Sequence, residues 1–373
     1  MSTAPVKKSD ITFFIYFACV LIFGLIFLTS ASSVVGYDKF GDAYYFIKHQ
    51  LLLGFLPGIL GLLFFAKFDY KLLKQWSPLF FVGSLILLFL VFIPGIGSAL
   101  NTGNRSWIVI GGFSFQPAEI AKFCTILYFS AFLSKMGDRL QNFKQGFLVA
   151  LGIGAIPLLF IMFQPDIGTM AILFSIIFGL LFVANVKWSH MSLLGLVSLC
   201  GFLVLILIAP YRLARLTTFL HPEKDPQGIG YHINQSFIAI GSGEFFGEGL
   251  GQSKQKYQYL PEVHADSIFA VIAEEMGFLL TVLFLVLFVL FIHRGLVIAR
   301  HSGDMFARFT ITGVMIWFVA QAFLNIGAMV GLMPLTGVPL PFVSHGGTAL
   351  AIAMCAVGVV INMSKDSELR VKN

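Results

Sequence analysis

The chain has 373 residues, of which 58% are hydrophobic and only 11% charged, with 42 phenylalanines and a net charge of +6. Soluble proteins carry about 25% charged residues, and a chain this poor in charge could not cover its own surface in water. The class that remains is a polytopic membrane protein, with lipid around most of its surface.

A bilayer core about 30 Å thick takes roughly 20 apolar residues per helix. Ten segments fit, near residues 11–35, 45–66, 77–94, 117–134, 146–163, 167–184, 189–209, 267–292, 307–331 and 346–363. The expected fold is therefore all-α, a single integral membrane domain over residues 1–373, with tails at 1–10 and 364–373. Lys7 and Lys8 precede the first segment and Ser30, Ala31 and Ser32 follow it, as in a secretory signal. Its apolar run from Ile11 to Leu28 exceeds the about 7–15 residues of a signal core, so it reads as a retained helix. Residues 95–116 combine Gly and Asn with Arg105, Trp107 and the apolar run IVIGGF, and read as an interfacial or re-entrant segment. Most connections are short, but residues 210–266 form one long structured loop of 57 residues on the outer face, between the seventh and eighth helices. The four cysteines, Cys19, Cys124, Cys200 and Cys355, lie in apolar runs and read as small buried hydrophobes. No CxxC or Cys/His cluster suggests a metal site.

An even number of spans puts both termini on one side. If that side is cytoplasmic, the inner segments hold fifteen of the 24 basic residues and six of the 18 acids. Five of the outer bases lie in the long loop, whose charge carries little topological weight. The positive charge is thus a cytoplasmic orientation signal rather than a nucleic-acid footprint.

Ionisable groups at membrane depth cost about 2.5–3.5 kcal/mol on insertion scales, so each needs a reason. Glu119 and Lys122 stand three apart and share a helix face. They form either an internal ion pair or the charged lining of an outward cavity, with Arg105 nearby as a phosphate grip and Trp107 as a membrane anchor. Glu262, His264 and Asp266 place three titratable groups in five residues at the membrane surface, and Glu274 and Glu275 follow two turns later. Asp266 is either the N-cap of the eighth helix or a desolvated carboxylate that accepts a proton. Carboxylates there can instead hold a divalent cation through oxygen. The glycines of 241–251 lack the strand–helix unit of a nucleotide site. Asp166 reads as the cap of the sixth helix, and the Pro- and Gly-rich stretch 334–347, with Ser344 and His345, as a rigid connection.

The segments RSWIVIGGFSFQPAEIAK (105–122), QPDIGT (164–169), the loop from HPEKDPQGIGYHINQ to LPEVHADSIFAVIAEEMGF (221–278) and GLMPLTGVPLPFVSHGGTAL (331–350) resemble the SEDS family (shape, elongation, division and sporulation). That family comprises integral-membrane glycosyltransferases that polymerise lipid II into peptidoglycan. The stretch GLGQSKQKYQYLPE is more similar to the division-specific FtsW branch than to the elongation-specific RodA branch. The resemblance implies that Asp266 is the catalytic general base and that Arg105, Trp107, Glu119 and Lys122 are functional cavity residues, with Gln116, Glu262, His264 and Ser344 as further substrate contacts. Its one candidate cofactor is a divalent cation, Mg2+ or Mn2+. It also implies a class B penicillin-binding transpeptidase as partner, other division-site membrane proteins around it, and a place at the septum. The chain departs from the family pattern at Ala265, Ser267, His345 and Glu244. Two rivals from other classes are a flippase for the same lipid-linked precursor and a non-enzymatic division scaffold. The flippase should show polar residues continuing to the cytoplasmic face, whereas the buried carboxylates here cluster toward the outer half.

Overall fold

The computed structural model describes residues 9–99, 105–111, 113–208 and 210–367. The basic tail residues Lys7, Lys8, Arg370 and Lys372 lie outside them, as do residues 100–104 of the interfacial segment. The helices are α1 (Ile11–Phe40), α2 (Tyr45–Gln50), α3 (Leu56–Lys67), α4 (Tyr70–Leu90), α5 (Pro117–Met136), α6 (Leu148–Phe163), α7 (Ile167–Val183), α8 (Trp188–Ile208), α9 (Pro210–Leu220), α10 (Ile229–Ser242), α11 (Ile268–Arg300), α12 (Met305–Met329) and α13 (Gly347–Met363). A π turn at Leu51–Phe55 joins α2 and α3 into one span. Each of the ten segments expected to cross the membrane is helical. Eight helices among the described residues are long and apolar enough to do so. The other two are α7, which is shorter, and α5, which carries Glu119 and Lys122.

Side-chain polarity sets the helix ends. Asp10 caps α1 by accepting from the Phe13 amide at 2.9 Å, and Asp166 caps α7 through Thr169 at 2.9 Å, the role expected for it. Small residues set the closest approach of helices, which in lipid packs by contact rather than by hydrophobic exclusion. A methyl at Gly358 would lie 2.5 Å from the Leu62 carbonyl, so α13 and α3 meet backbone to backbone. The most enclosed helices are α5, α12 and α13, and α12 buries Trp317 and Phe318 in the middle of the bundle.

The fold is all-α, as expected, with one small sheet in the segment before α5. Residues 97–115 contain a three-stranded antiparallel sheet, β1 (Gly97–Ser98), β2 (Trp107–Ile110) and β3 (Phe113–Phe115), with Ile108 opposite Phe115. The segment read as interfacial or re-entrant is thus a hairpin, favoured by its apolar β-branched and aromatic residues on either side of a glycine turn. Ile110 and Phe113 stay exposed at its tip. The cysteine expectation is half right: Cys124 is buried, while Cys19 and Cys200 face outward from their helices.

The two ends of the bundle differ. At the end away from Asp266, Arg294 grips Asp10 with two nitrogens, at 2.7 and 3.1 Å, and Tyr70 donates to Asp366 at 2.8 Å. At the other end the 210–266 loop is folded, as expected, with α9, α10 and a run of turns leading into α11.

Candidate active site

Asp266 sits on the last turn before α11. The helix starts at Ile268 with Ser267 at its N-cap and no side-chain capping bond, so Asp266 is not the cap. Three contacts fix its backbone instead. The Asn325 amide of α12 donates to the Asp266 carbonyl at 2.8 Å and to the Val338 carbonyl at 2.8 Å. The Ser267 hydroxyl donates to the Pro261 carbonyl at 2.7 Å and meets the His232 ring of α10. Glu262, in a left-handed backbone at φ 48°, turns the loop and accepts from the Ala265 and Ser267 amides.

The carboxylate itself is left open. Oδ1 of Asp266 is buried and has no hydrogen-bond partner among the described residues. Loss of solvent, reinforced by the negative Glu262, pushes the Asp266 carboxyl up to about 6, against the opposing pull of its own backbone amide, the Ser267 hydroxyl and Arg215. Other buried polar atoms, Glu119 Oε2 among them, also lack a partner, but Asp266 combines an unmet oxygen with a raised carboxyl and no counter-ion among the described residues.

Around it stands a cluster of histidines. The rings of His264 and His345 lie 5.9 Å apart, with Phe46 4.1 Å from His264 and His49 5.5 Å from His345. The His345 amide donates to the His264 carbonyl at 2.8 Å, which ties the loop before α13 to the loop before α11. Gln50 clamps the same segment, donating to the Ser344 carbonyl and accepting from the Gly346 amide at 2.9 Å. Ser344 does not point outward: its hydroxyl accepts from the Leu340 amide at 2.8 Å. Burial holds His345 down to about 3 and His232 to about 4, and lowers His264 as well.

Glu119 and Lys122 are sealed in. Both are about 2% exposed or less, and Lys122 Nζ donates to Glu119 Oε1 at 2.8 Å and to Gln321 Oε1 at 3.0 Å, 5.0 Å from the Trp317 ring centre. Trp317 donates to the same Gln321 oxygen at 2.7 Å, and Gln321 donates to the Pro339 carbonyl at 2.9 Å. The ion pair therefore reaches Asp266 indirectly. It holds residue 339 while Asn325, one turn further along α12, holds residues 338 and 266. Arg105 is exposed and Trp107 half-buried, at the start of the hairpin. Gln116 is half-buried just before α5, and Glu262 is exposed with its carboxylate 3.6 Å from His264 Nε2.

Glu274 and Glu275 hold structure rather than the site. Glu275 accepts from Ser30 of α1 at 2.8 Å and pairs with Lys256 at 3.0 Å, while Glu274 accepts from the Lys254 amide at 2.9 Å and from the Ser253 hydroxyl. At Gly277, φ 71°, the helical hydrogen bonding is interrupted. The loop supplies the missing partners: Phe278 N–H donates to Glu244 O at 2.8 Å, and Gly249 N–H to Glu275 O at 3.0 Å. A methyl on Gly277 would meet the Gly247 nitrogen at 2.2 Å, so only glycine allows this approach. Beside this junction an apolar cavity of about 930 Å³ lies between α10, α11 and α12, lined by Ile240, Phe245, Phe269, Phe278, Leu285 and Ile326.

Sequence reasoning missed Gln321, Asn325, Gln50 and Lys256. The signal was available, since Gln321 and Asn325 are two polar residues four apart in an otherwise apolar span.

Known proteins resemble this chain over nearly its whole length. The family model of FtsW, RodA and SpoVE cell cycle proteins matches residues 10–369. Stage V sporulation protein E of Bacillus subtilis (strain 168) is 42% identical over 365 residues, covering 98% of this chain and 99% of that protein. The probable peptidoglycan glycosyltransferase FtsW of Geobacter sp. (strain M18) is 40% identical over 342 residues, covering 92% and 93%. In fold, the chain is similar to one solved in a peptidoglycan synthase complex that coordinates polymerization and crosslinking, with TM-score 0.79 and 23% identity over 97% of this chain and 99% of that one.

Proposed function

The chain belongs to the family of FtsW, RodA and SpoVE cell cycle proteins, and from that premise we propose that it is a peptidoglycan glycosyltransferase. It polymerises lipid II at the outer face of the cytoplasmic membrane during cell division and releases polyprenyl diphosphate. Both termini are cytoplasmic, and the site of action is the septum. The observation that carries this reading is Asp266, a desolvated carboxylate with an unpartnered oxygen, held by backbone contacts at the end of a spanning helix.

Asp266 takes the proton from the 4-hydroxyl of an acceptor N-acetylglucosamine. The freed oxygen forms a bond to the anomeric carbon of the donor's N-acetylmuramic acid, the bond from that carbon to the pyrophosphate oxygen breaks, and the configuration inverts. A carboxyl near 6 is largely ionised at neutral pH yet basic enough to hold the proton in the transition state. The leaving pyrophosphate needs cations rather than a general acid, unlike the paired carboxylates of a glycosidase. Arg215, whose charge acts on Asp266, joins Arg105 as a candidate for that task. Lys122 acts here through Gln321 and Pro339, by positioning the 331–346 segment. The apolar cavity beside Phe269 suits the polyprenyl tail.

No three His, Cys, Asp or Glu side chains among the described residues gather into a metal cage. A divalent cation, Mg2+ or Mn2+, would thus take most of its ligands from phosphate oxygens and water, with the exposed Glu262 carboxylate as the protein's share, so that Asp266 stays free to take the proton. Its chemistry would be charge neutralisation at the pyrophosphate. The proposed partner is a class B penicillin-binding transpeptidase, which would supply crosslinking, within a set of division-site membrane proteins.

The test is purified protein with labelled lipid II in detergent, resolved on a gel for glycan chains. Polymer that Asp266→Asn abolishes supports the reading, because flipping cannot yield polymer in detergent. Polymerisation by Asp266→Asn at the parental rate overturns it.

A further inference from the structure

At 1.5 Å per residue the 30 residues of α1 run about 45 Å, against a hydrocarbon core of about 30 Å. Roughly its last ten residues therefore stand clear of the core, on the Asp266 side. On that projecting part Ser33, Tyr37 and Asp38 form one wall of a cavity of about 390 Å³, and Tyr257 and Gln258 form the facing wall.

The walls are built, not incidental. Lys256, directly before Tyr257, is 2% exposed, pairs with Glu275 at 3.0 Å and donates to the Gly251 carbonyl at 2.7 Å. Glu275 in turn holds Ser30 of α1, one turn below Ser33. Gln258 adopts φ 66°, a left-handed backbone that a residue with a side chain keeps only when its surroundings hold it there. In that conformation its amide donates to Asp38 at 2.7 Å across the cavity. Tyr37 and Tyr257 are 66% and 58% exposed, so the cavity is lined by two solvent-accessible aromatic side chains beside an amide and a carboxylate.

An aromatic membrane belt would place such rings at the lipid headgroups. These rings instead line a cavity beyond the core whose mostly apolar wall is broken by Ser33, Asp38 and Gln258. Two rings with an amide and a carboxylate between them suit a saccharide, whose C–H faces stack on aromatic rings and whose hydroxyls both donate and accept. The single carboxylate disfavours phosphate. The cavity also lies close to the reacting end. Phe40 of α1 is 5.9 Å from Phe46, which packs on His264, two residues before Asp266.

We propose that this cavity is a saccharide-binding subsite that holds a glycan strand some sugar units away from the bond being formed. Its placement as a product or acceptor subsite rests on the polymerase reading above. The experiment measures binding of a soluble, lipid-free glycan oligomer of four disaccharide units to the purified full chain in detergent. The parental protein, Asp266→Asn, the double variant Tyr37→Ala/Tyr257→Ala and the double variant Tyr37→Phe/Tyr257→Phe are compared, each with its thermal unfolding. The parental protein and Asp266→Asn are expected to bind alike, the phenylalanine pair to stay within about twofold, and the alanine pair to weaken at least tenfold with unfolding unchanged. With lipid II the alanine pair should also yield shorter strands. Equal binding by the alanine pair, or no binding by the parental protein, overturns the proposal. So does loss of the transpeptidase in co-purification while oligomer binding is unchanged, which would make the cavity a protein-docking site. Binding needs no catalysis, so a failure of Asp266→Asn to stop polymerisation would sink the polymerase reading and leave this result standing.

Discussion

Asp266 and Lys122 are both ionisable groups withdrawn from solvent, and their surroundings are opposite. Lys122 has a counter-ion, an amide oxygen and an indole face, all within 5.0 Å. Glu275 likewise has a lysine and a serine. Asp266 has its backbone fastened on both sides and one carboxylate oxygen unmet. Charges that hold a membrane bundle together are paired with a counter-ion from within, because lipid offers no replacement partner. A charge kept for a substrate has to be left short of one. Burial alone therefore does not identify the reacting group, and neither does an unmet oxygen, which Glu119 Oε2 also has; among the described residues it is the missing counter-ion beside the unmet oxygen that sets Asp266 apart.

That contrast can be broken most directly at Asp266. Asp266→Asn should lower polymerisation 10²–10⁴-fold, the usual share of a general base, and leave thermal unfolding in detergent at or above the parental value. A large loss of stability would place Asp266 with the structural charges. Lys122→Met should do the reverse and cost about 3–5 kcal/mol of stability, because Glu119 is left charged and alone in the interior. The double change Glu119→Gln/Lys122→Met should recover most of it, and failure to recover would show that Gln321 and Trp317 rely on the lysine itself.

The pH profile sharpens the comparison by a smaller step. Activity should fall about tenfold per pH unit below about 6, as Asp266 takes up its proton. A limb centred near 4 would mean that the carboxylate is solvated and not withdrawn as described. Stability moves by two opposed routes. Asp266, raised in the fold, binds its proton more readily folded than unfolded and so favours the fold as pH drops from 6 toward 4. His345 and His232, lowered to about 3 and about 4, stay neutral in the fold while the unfolded chain protonates them from about 6.5 downward. Two histidines against one carboxylate should make the unfolding temperature fall between pH 6.5 and 4. The smallest effect is expected from Lys254→Ala, since its pair with Glu248 is largely exposed and worth less than about 1 kcal/mol.

The helices were legible because apolar runs of about 20 residues permit little else. Asp266 was legible as a candidate from its place at a helix entry, and the resemblance singled it out. What the sequence could not separate was Asp266 from Glu274 and Glu275, three acids within ten residues. Their difference lies in long-range partners, Ser30 and residues 253–256, which no local pattern reveals. The hairpin at 97–115 was missed for a related reason, because short apolar strands and a re-entrant segment share one composition.

The break at Gly277 has an architectural consequence. Since Phe278 and Leu279 take their backbone acceptors from residues 244 and 245, the long loop and the spanning helix that follows it complete one another's hydrogen bonding. Neither is a module. A loop grafted from a relative would have to bring residues 274–279 with it. During synthesis the loop can reach its final form only after α11 has entered the membrane, so the last step in building the catalytic turn is set by insertion of a helix that comes after it.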